Sequence, residues 1–239
     1  LQKFGNPPNM AICVACFGRD IAGAIGLHRA EVVQYLRPEI IGFVLGSLVA
    51  ALIFREFRPR AGSAPTVRFI LGVFAMIGAL VFLGCPWRAL LRLSGGDLNA
   101  VTGLIGLGFG IFIGTLFLRT GYTLGRSEKG HYTAGLVLPM IMLAFLILAL
   151  IFPTLAGQPK NGIIFSSMKG PGSMHAPFFI SLAVGLGIGF LAQRSRFCTM
   201  GAIRDLMLFR QMHLLSGVLA LAAVAFVTNL ILGQFHPGF

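Results

Sequence analysis

The sequence predicts an all-α polytopic membrane protein, and three observations carry that prediction. Charged residues make up 11% of the 239 positions and hydrophobic ones 56%, whereas a soluble domain runs near a quarter charged. The mean hydropathy is +0.86, more apolar surface than one core of this size hides from water. The apolar residues gather in six runs that reach or approach the roughly 20 residues needed to cross a bilayer. This composition excludes a disordered, collagen-like or disulfide-stapled chain.

The runs fall at Ile40–Phe54, Phe69–Leu83, Val101–Leu118, Ala134–Phe152, Phe178–Ala192 and Leu214–Leu232. The first and fifth are short, and their flanking Arg residues, with Gln193 after the fifth, lengthen them by snorkelling. Glycine is abundant, at 32 residues, which suits helices that pack closely or break inside lipid. The 19 Lys and Arg outnumber the 7 Asp and Glu. They sit mainly in short links, so the excess reads as headgroup contact and topology, with no nucleic-acid partner. Links Arg55–Arg68, Arg119–Thr133 and Gln193–His213 carry eleven basic residues, and the alternate links Gly84–Ala100 and Pro153–Pro177 carry four. The first set is predicted to be cytoplasmic, with Leu1–Glu39 outside.

Three further segments are neither spans nor ordinary loops: Gly5–Leu27, Gly84–Leu93 and Gln193–Phe209. Each is short and half apolar, with a Cys and an Arg a few residues on, the pattern of a half-helix dipping into the membrane from one side. Two of them align. ICVACFGRD (Ile12–Asp20) over FCTMGAIRD (Phe197–Asp205) places Cys13 on Cys198, Arg19 on Arg204 and Asp20 on Asp205, and His28 falls on His213 at the same spacing. Five runs lie between the copies, and an odd number inverts the second copy in the membrane. The expectation is one transmembrane domain over 1–239, with a first repeat over about 1–152 and an incomplete second over about 178–239. The repeat predicts a fourth motif near position 270, and the chain starts without Met, so the sequence reads as part of a longer protein.

The cysteines are the candidate chemistry. Cys13-Val-Ala-Cys16 is a C-x-x-C pair that suits thiol exchange or simple packing as two small apolar side chains. A zinc site lacks a second pair, and Phe17 after Cys16 excludes haem attachment. Cys85 precedes Pro86, which starts a helix at little cost, so the thiol lies at a positive helix end that attracts anions. Arg88 and Arg92 share a face at i, i+4; an interfacial loop with snorkelling Arg is the plainer reading. Cys198 lies in a basic link. Arg19–Asp20 and Arg204–Asp205 read as pairs that hold the breaks in place, and Asp97 and Asn99 as a helix cap. Thiols on short helices with Arg nearby suit a soft, polarizable sulfur- or selenium-containing anion better than sulfate or phosphate.

GNPPNMAICVACFGRD, FLGCPWRALLRLSGGDLNA and QRSRFCTMGAIRD resemble the YeeE/YedE sulfur-transport family, most nearly its YedE branch of selenium transporters. The resemblance runs over nearly the whole chain. It implies an inverted-repeat transporter of the bacterial inner membrane, with re-entrant half-helices and a line of cysteines along the substrate path: Cys13 or Cys16, Cys85 and Cys198. Members also carry a further GGCP-like motif near the carboxyl end and an additional apolar segment at the start, both absent here. The expected function is uptake of a small sulfur or selenium anion, without catalysis, metal or cofactor, supported by Arg19, Asp20, Arg88, Arg204 and Asp205. A cytosolic sulfurtransferase or selenium-metabolism partner could dock on the Gln193–His213 link. The alternative is a membrane thiol–disulfide oxidoreductase using Cys13 and Cys16.

Overall fold

A computed structural model describes residues 1–8, 10, 12–82, 84–152 and 164–238. Asn9 and Ala11 of the first motif, the expected run end at Leu83 and part of the Pro153–Pro177 link lie outside the described residues. In chain order the elements are α1 (Val14–Ala24), α2 (Pro38–Ile53), β1 (Arg60–Ala61), α3 (Pro65–Val81), α4 (Pro86–Ser94), α5 (Asn99–Arg119), β2 (Glu128–Lys129), α6 (Tyr132–Ile151), α7 (Phe178–Ser195), α8 (Thr199–Phe209) and α9 (His213–Ile231).

Each of the six apolar runs forms one helix. Five helical stretches among the described residues are long and apolar enough to cross a membrane: α3 taken together with α4, α5, α6, α7 together with α8, and α9. The 16-residue α2 is apolar but shorter, because Pro38 starts it and Arg55 at φ 54° stops it. Pro65 and Pro86 start α3 and α4 in the same way. The chain is thus mostly helical and fits an all-α, multi-pass membrane protein.

The chain divides into two compact units. One comprises Leu1–Ala61 with Ser127–Arg196, the other Gly62–Arg126 with Phe197–Phe239. The first unit is built on α2 against α7. The buried stripe Gly42, Gly46, Ala50 of α2 faces the stripe Ser181, Gly185, Gly189 of α7, both at a spacing of four. A Cβ on Gly42 would meet the Leu182 carbonyl, on Gly46 the Leu186 carbonyl, on Gly185 the Glu39 carbonyl and on Gly189 the Phe43 carbonyl. Small residues let the backbones touch, the usual solution where lipid supplies no hydrophobic drive between helices. Contacts advance together along both helices, so they run parallel, and Ser47 Oγ donates to the Gly189 carbonyl at 3.0 Å.

Contacts between links hold both ends of the first unit. In the first unit β1 pairs antiparallel with β2, joining Arg55–Arg68 to Arg119–Thr133. Arg194 reaches Glu56 at 3.2 Å. On the other side Ser167 N donates to the Gln34 carbonyl and Ala176 N to Asn6 Oδ1.

In the second unit Leu90 of α4, Ala202 of α8 and Val218 of α9 form a buried cluster, with Leu104, Phe197 and Leu214 around it. Ser94 Oγ donates to the Ala222 carbonyl at 3.1 Å, tying α4 to α9. Residues 95–98 bond with His236 and Gly238 near the end of the chain. The expected cap at Asp97 and Asn99 is not formed: Leu98 occupies the N-cap of α5 without a side-chain bond, Asn99 is the first helical residue, and Asp97 accepts from Asn99 N at 3.0 Å in the turn before the helix and pairs with Arg92 at 2.6 Å.

Candidate functional site

Each of the three short helices begins at a cysteine. Cys13 is the N-cap of α1, Cys85 of α4 and Cys198 of α8. An N-cap side chain normally offers oxygen to an orphan N–H of the first turn. Here Cys13 Sγ accepts from Cys16 N at 3.4 Å, and Cys198 Sγ accepts from Gly201 N at 3.3 Å. Sulfur is a weak acceptor, so part of the positive character of each helix end persists at the thiol.

α1 and α8 agree residue for residue at the spacing read from sequence. Both have 11 residues, both start after the aligned cysteine, and both cap through the nitrogen three positions on. Arg19 pairs with Asp20 at 2.9 Å and Arg204 with Asp205 at 2.7 Å. The likeness stops at the aligned histidines. His28 lies in a link and contacts the Arg19 carbonyl through Nε2 at 2.9 Å, whereas His213 is the first residue of α9.

The surroundings differ. Cys13, Cys16 and Asp20 are buried in the first unit. Asp20 holds two guanidiniums, Arg19 on Oδ1 and Arg37 on Oδ2, both at 2.9 Å. Arg37, with 0% exposure, also donates to the carbonyls of Met174 and Pro171 and lies over the rings of Phe17 and Tyr35 at 4.6 and 5.0 Å. It therefore clamps α1 to the head of α2 and to the 171–174 segment. A pair buried this deeply costs desolvation, which the further bonds to the Met174 and Pro171 carbonyls help offset.

Behind Arg37 lies a second polar cluster. Asn6 Nδ2 donates to Glu39 Oε1 at 2.8 Å, while Glu39 Oε2 and Ser181 Oγ are buried without a partner among the described residues. Tyr35 stacks on His175 with ring centroids 4.5 Å apart. Burial, with help from the Glu39 carboxylate and against the opposing pull of Arg37, pushes the Tyr35 phenol up to about 12. A hollow of about 580 Å³ in the same unit is bordered by Arg29, Lys169, Glu31 and Gln34.

In the second unit Cys85 is half-buried and Cys198 exposed. Their helices pack on each other, with Trp87 and Phe197 rings 5.6 Å apart. Arg88 is half-buried and lays its stem over Gly84. Thr199, the residue after Cys198, has a buried hydroxyl with no partner among the described residues. The structure thus places Cys13 and Cys16 in one unit and Cys85 and Cys198 in the other.

Sequence reading missed Arg37, Glu39, Tyr35, His175 and Thr199. The one signal for the first two was Arg37-Pro38-Glu39 itself, two charges astride the Pro that opens an apolar run.

The fold and these sites define an all-α membrane protein with cysteine-capped short helices. No family model, curated protein or solved structure matches the chain. The resemblance to the YeeE/YedE family therefore rests on the three motifs.

Proposed function

We propose that the protein is a transporter that takes up a small sulfur- or selenium-containing anion through contacts with Cys13 or Cys16, Cys85 and Cys198, in the manner of the YeeE/YedE family it resembles. The observation that carries this reading is the cysteine N-cap repeated at the heads of α1, α4 and α8. A thiol at a helix amino end presents a soft, polarizable group where backbone dipoles favour negative charge. Three such points suit stepwise transfer of one anion. The buried Thr199 hydroxyl next to Cys198, without a partner among the described residues, supports an anion that offers oxygen beside its soft atom. Arg29 and Lys169 at the 580 Å³ hollow supply positive potential for approach.

The matched bounds, caps and ion pairs of α1 and α8 support an inverted repeat. Their length of 11 residues, about 16 Å at 1.5 Å per residue, is half a bilayer and suits re-entrant half-helices. The bacterial inner membrane is the location this reading implies, and delivery to a cytosolic sulfurtransferase or selenium-metabolism protein through the Gln193–His213 link is compatible with it. The thiol–disulfide oxidoreductase alternative is weaker, because it needs the Cys13 and Cys16 thiols to meet a partner's disulfide, and both are buried.

The test is whole-cell uptake of labelled thiosulfate and selenite by the wild type, Cys85→Ala and Cys198→Ala, with membrane insertion checked for each. Loss of uptake in inserted variants is expected. Normal uptake of both species in both variants would sink the proposal.

A further inference from the structure

Three helices end on an Arg in the left-handed backbone region, where glycine is the usual residue. Arg55 follows α2 at φ 54°, Arg196 closes α7 at φ 51° and Arg210 closes α8 at φ 56°. At α2 the turn is complete: Arg55 N donates to the Leu52 carbonyl and Glu56 N to the Ala51 carbonyl. This chain uses glycine freely, with 32 in 239 residues, yet at these bends it carries a strained cation. Attraction to the helix carboxyl end accounts for one charge at each.

At the paired ends of α2 and α7 there are more charges than the two helices need. Because the helices run parallel, Arg55, Arg194 and Arg196 lie at the same end of the pair. Arg194 Nη1 and Arg196 Nη2 approach one oxygen, Glu56 Oε1, at 3.2 and 3.7 Å. One carboxylate thus gathers two guanidiniums, whose side chains stay 52% and 79% exposed, and Arg55 adds a third charge at the exposed bend. Just below them the helices turn apolar side chains outward: Ile53, Phe54 and Leu191 are exposed, and Arg194 lies over the Phe54 ring at 4.3 Å. Convergent guanidiniums above an exposed apolar rim match a phosphodiester joined to acyl chains.

We propose that the carboxyl ends of α2 and α7 bind the headgroup phosphate of an anionic phospholipid, with Arg194 and Arg196 on the phosphate oxygens, Arg55 beside them and Ile53, Phe54 and Leu191 against the acyl chains. The site depends only on the helices lying in a membrane and is independent of what the protein transports. A lipid fits better than a soluble protein, because the apolar rim continues directly into the helix surfaces that face the hydrocarbon.

The full chain, purified in detergent, is presented with equal amounts of phosphatidylglycerol and phosphatidylcholine, and retained lipid is counted by native mass spectrometry. Phosphatidylglycerol should be preferred. R194Q/R196Q should weaken its retention about thirtyfold, the effect of removing two cations from an anionic surface. R55G/R196G relieves both strained bends while removing two charges, so it should fold at least as well and still lose the preference. E56Q, which leaves the cations in place, should keep or strengthen it. An unchanged preference in both arginine variants overturns the proposal, as does loss of preference in E56Q, which would mean that the charges serve only to brace the helix ends. Displacement of the lipid by glycerol phosphate at equal concentration overturns the lipid assignment in favour of a simple ion site. Loss of a co-purifying cytosolic protein from the arginine variants with the lipid preference intact does so in favour of a protein surface.

Discussion

Asp20 and Asp205 occupy matched positions beside matched arginines, yet they are different residues physically. Asp20 is fully buried between Arg19 and Arg37. Asp205 is partly exposed and pairs with an Arg204 that is half in solvent. Removing Asp20 strands the buried Arg37 guanidinium in low dielectric, so Asp20→Ala should destabilise by about 3 kcal/mol. Asp205→Ala removes an ion pair that solvent already screens and should cost less than about 1 kcal/mol. Thermal melting of the two variants in detergent checks this, and equal losses would refute the distinction. The Arg-Asp pairing of neighbours was legible in sequence, because adjacent side chains need no fold to meet. Arg37 was not legible as their partner: it lies 17 residues from Asp20, and its carbonyl acceptor on Met174 lies 137 away.

Among the elements, the pairing of α2 with α7 decides how the first unit is held. Its glycines are not interchangeable with those elsewhere. Gly46 and Gly189 lie where any Cβ would press on the facing backbone, whereas a Cβ on Gly108 of α5 meets nothing within 4 Å. Gly46→Ala should cost about 1–3 kcal/mol through forced separation of the helices. Gly108→Ala should be neutral or stabilising by up to about 1 kcal/mol, because alanine favours the helix. Melting temperatures in detergent separate the two outcomes, and a stabilising Gly46→Ala would refute the packing argument. Sequence composition announced close packing, but a glycine in a tight seam and one on an open face read alike in one dimension. The element ends were more legible, since proline starts α2, α3 and α4 through its own ring geometry. The left-handed Arg residues that end α2, α7 and α8 carried no such mark.

At the scale of the whole molecule, the four cysteines are shared between two units and differ in access. Cys198 is exposed, Cys85 half-buried, and Cys13 and Cys16 buried. Alkylation by N-ethylmaleimide in mild detergent should therefore modify Cys198 first, Cys85 more slowly, and Cys13 and Cys16 last. Peptide mapping over a time course reads the order, and early modification of Cys13 would contradict it. The sequence by itself determined that this is a helical chain of membrane-protein composition, where its six apolar helices lie, and that Cys85 stands at the head of a short helix. These follow from demands each segment meets alone: apolar side chains seek lipid, and every backbone polar group must bond within its own helix. Only the tertiary structure decided that α2 runs parallel against α7, that Asp20 is clamped by Arg37, that Cys13 and Cys198 cap α1 and α8, that Thr199, Ser181 and Glu39 have buried polar atoms without a partner among the described residues, and that the arginines at the ends of α2 and α7 converge on Glu56. The pairing, the clamp and the convergence depend on residues far apart in the chain being packed within a few ångströms, and packing is a property of the fold that no local stretch of sequence carries.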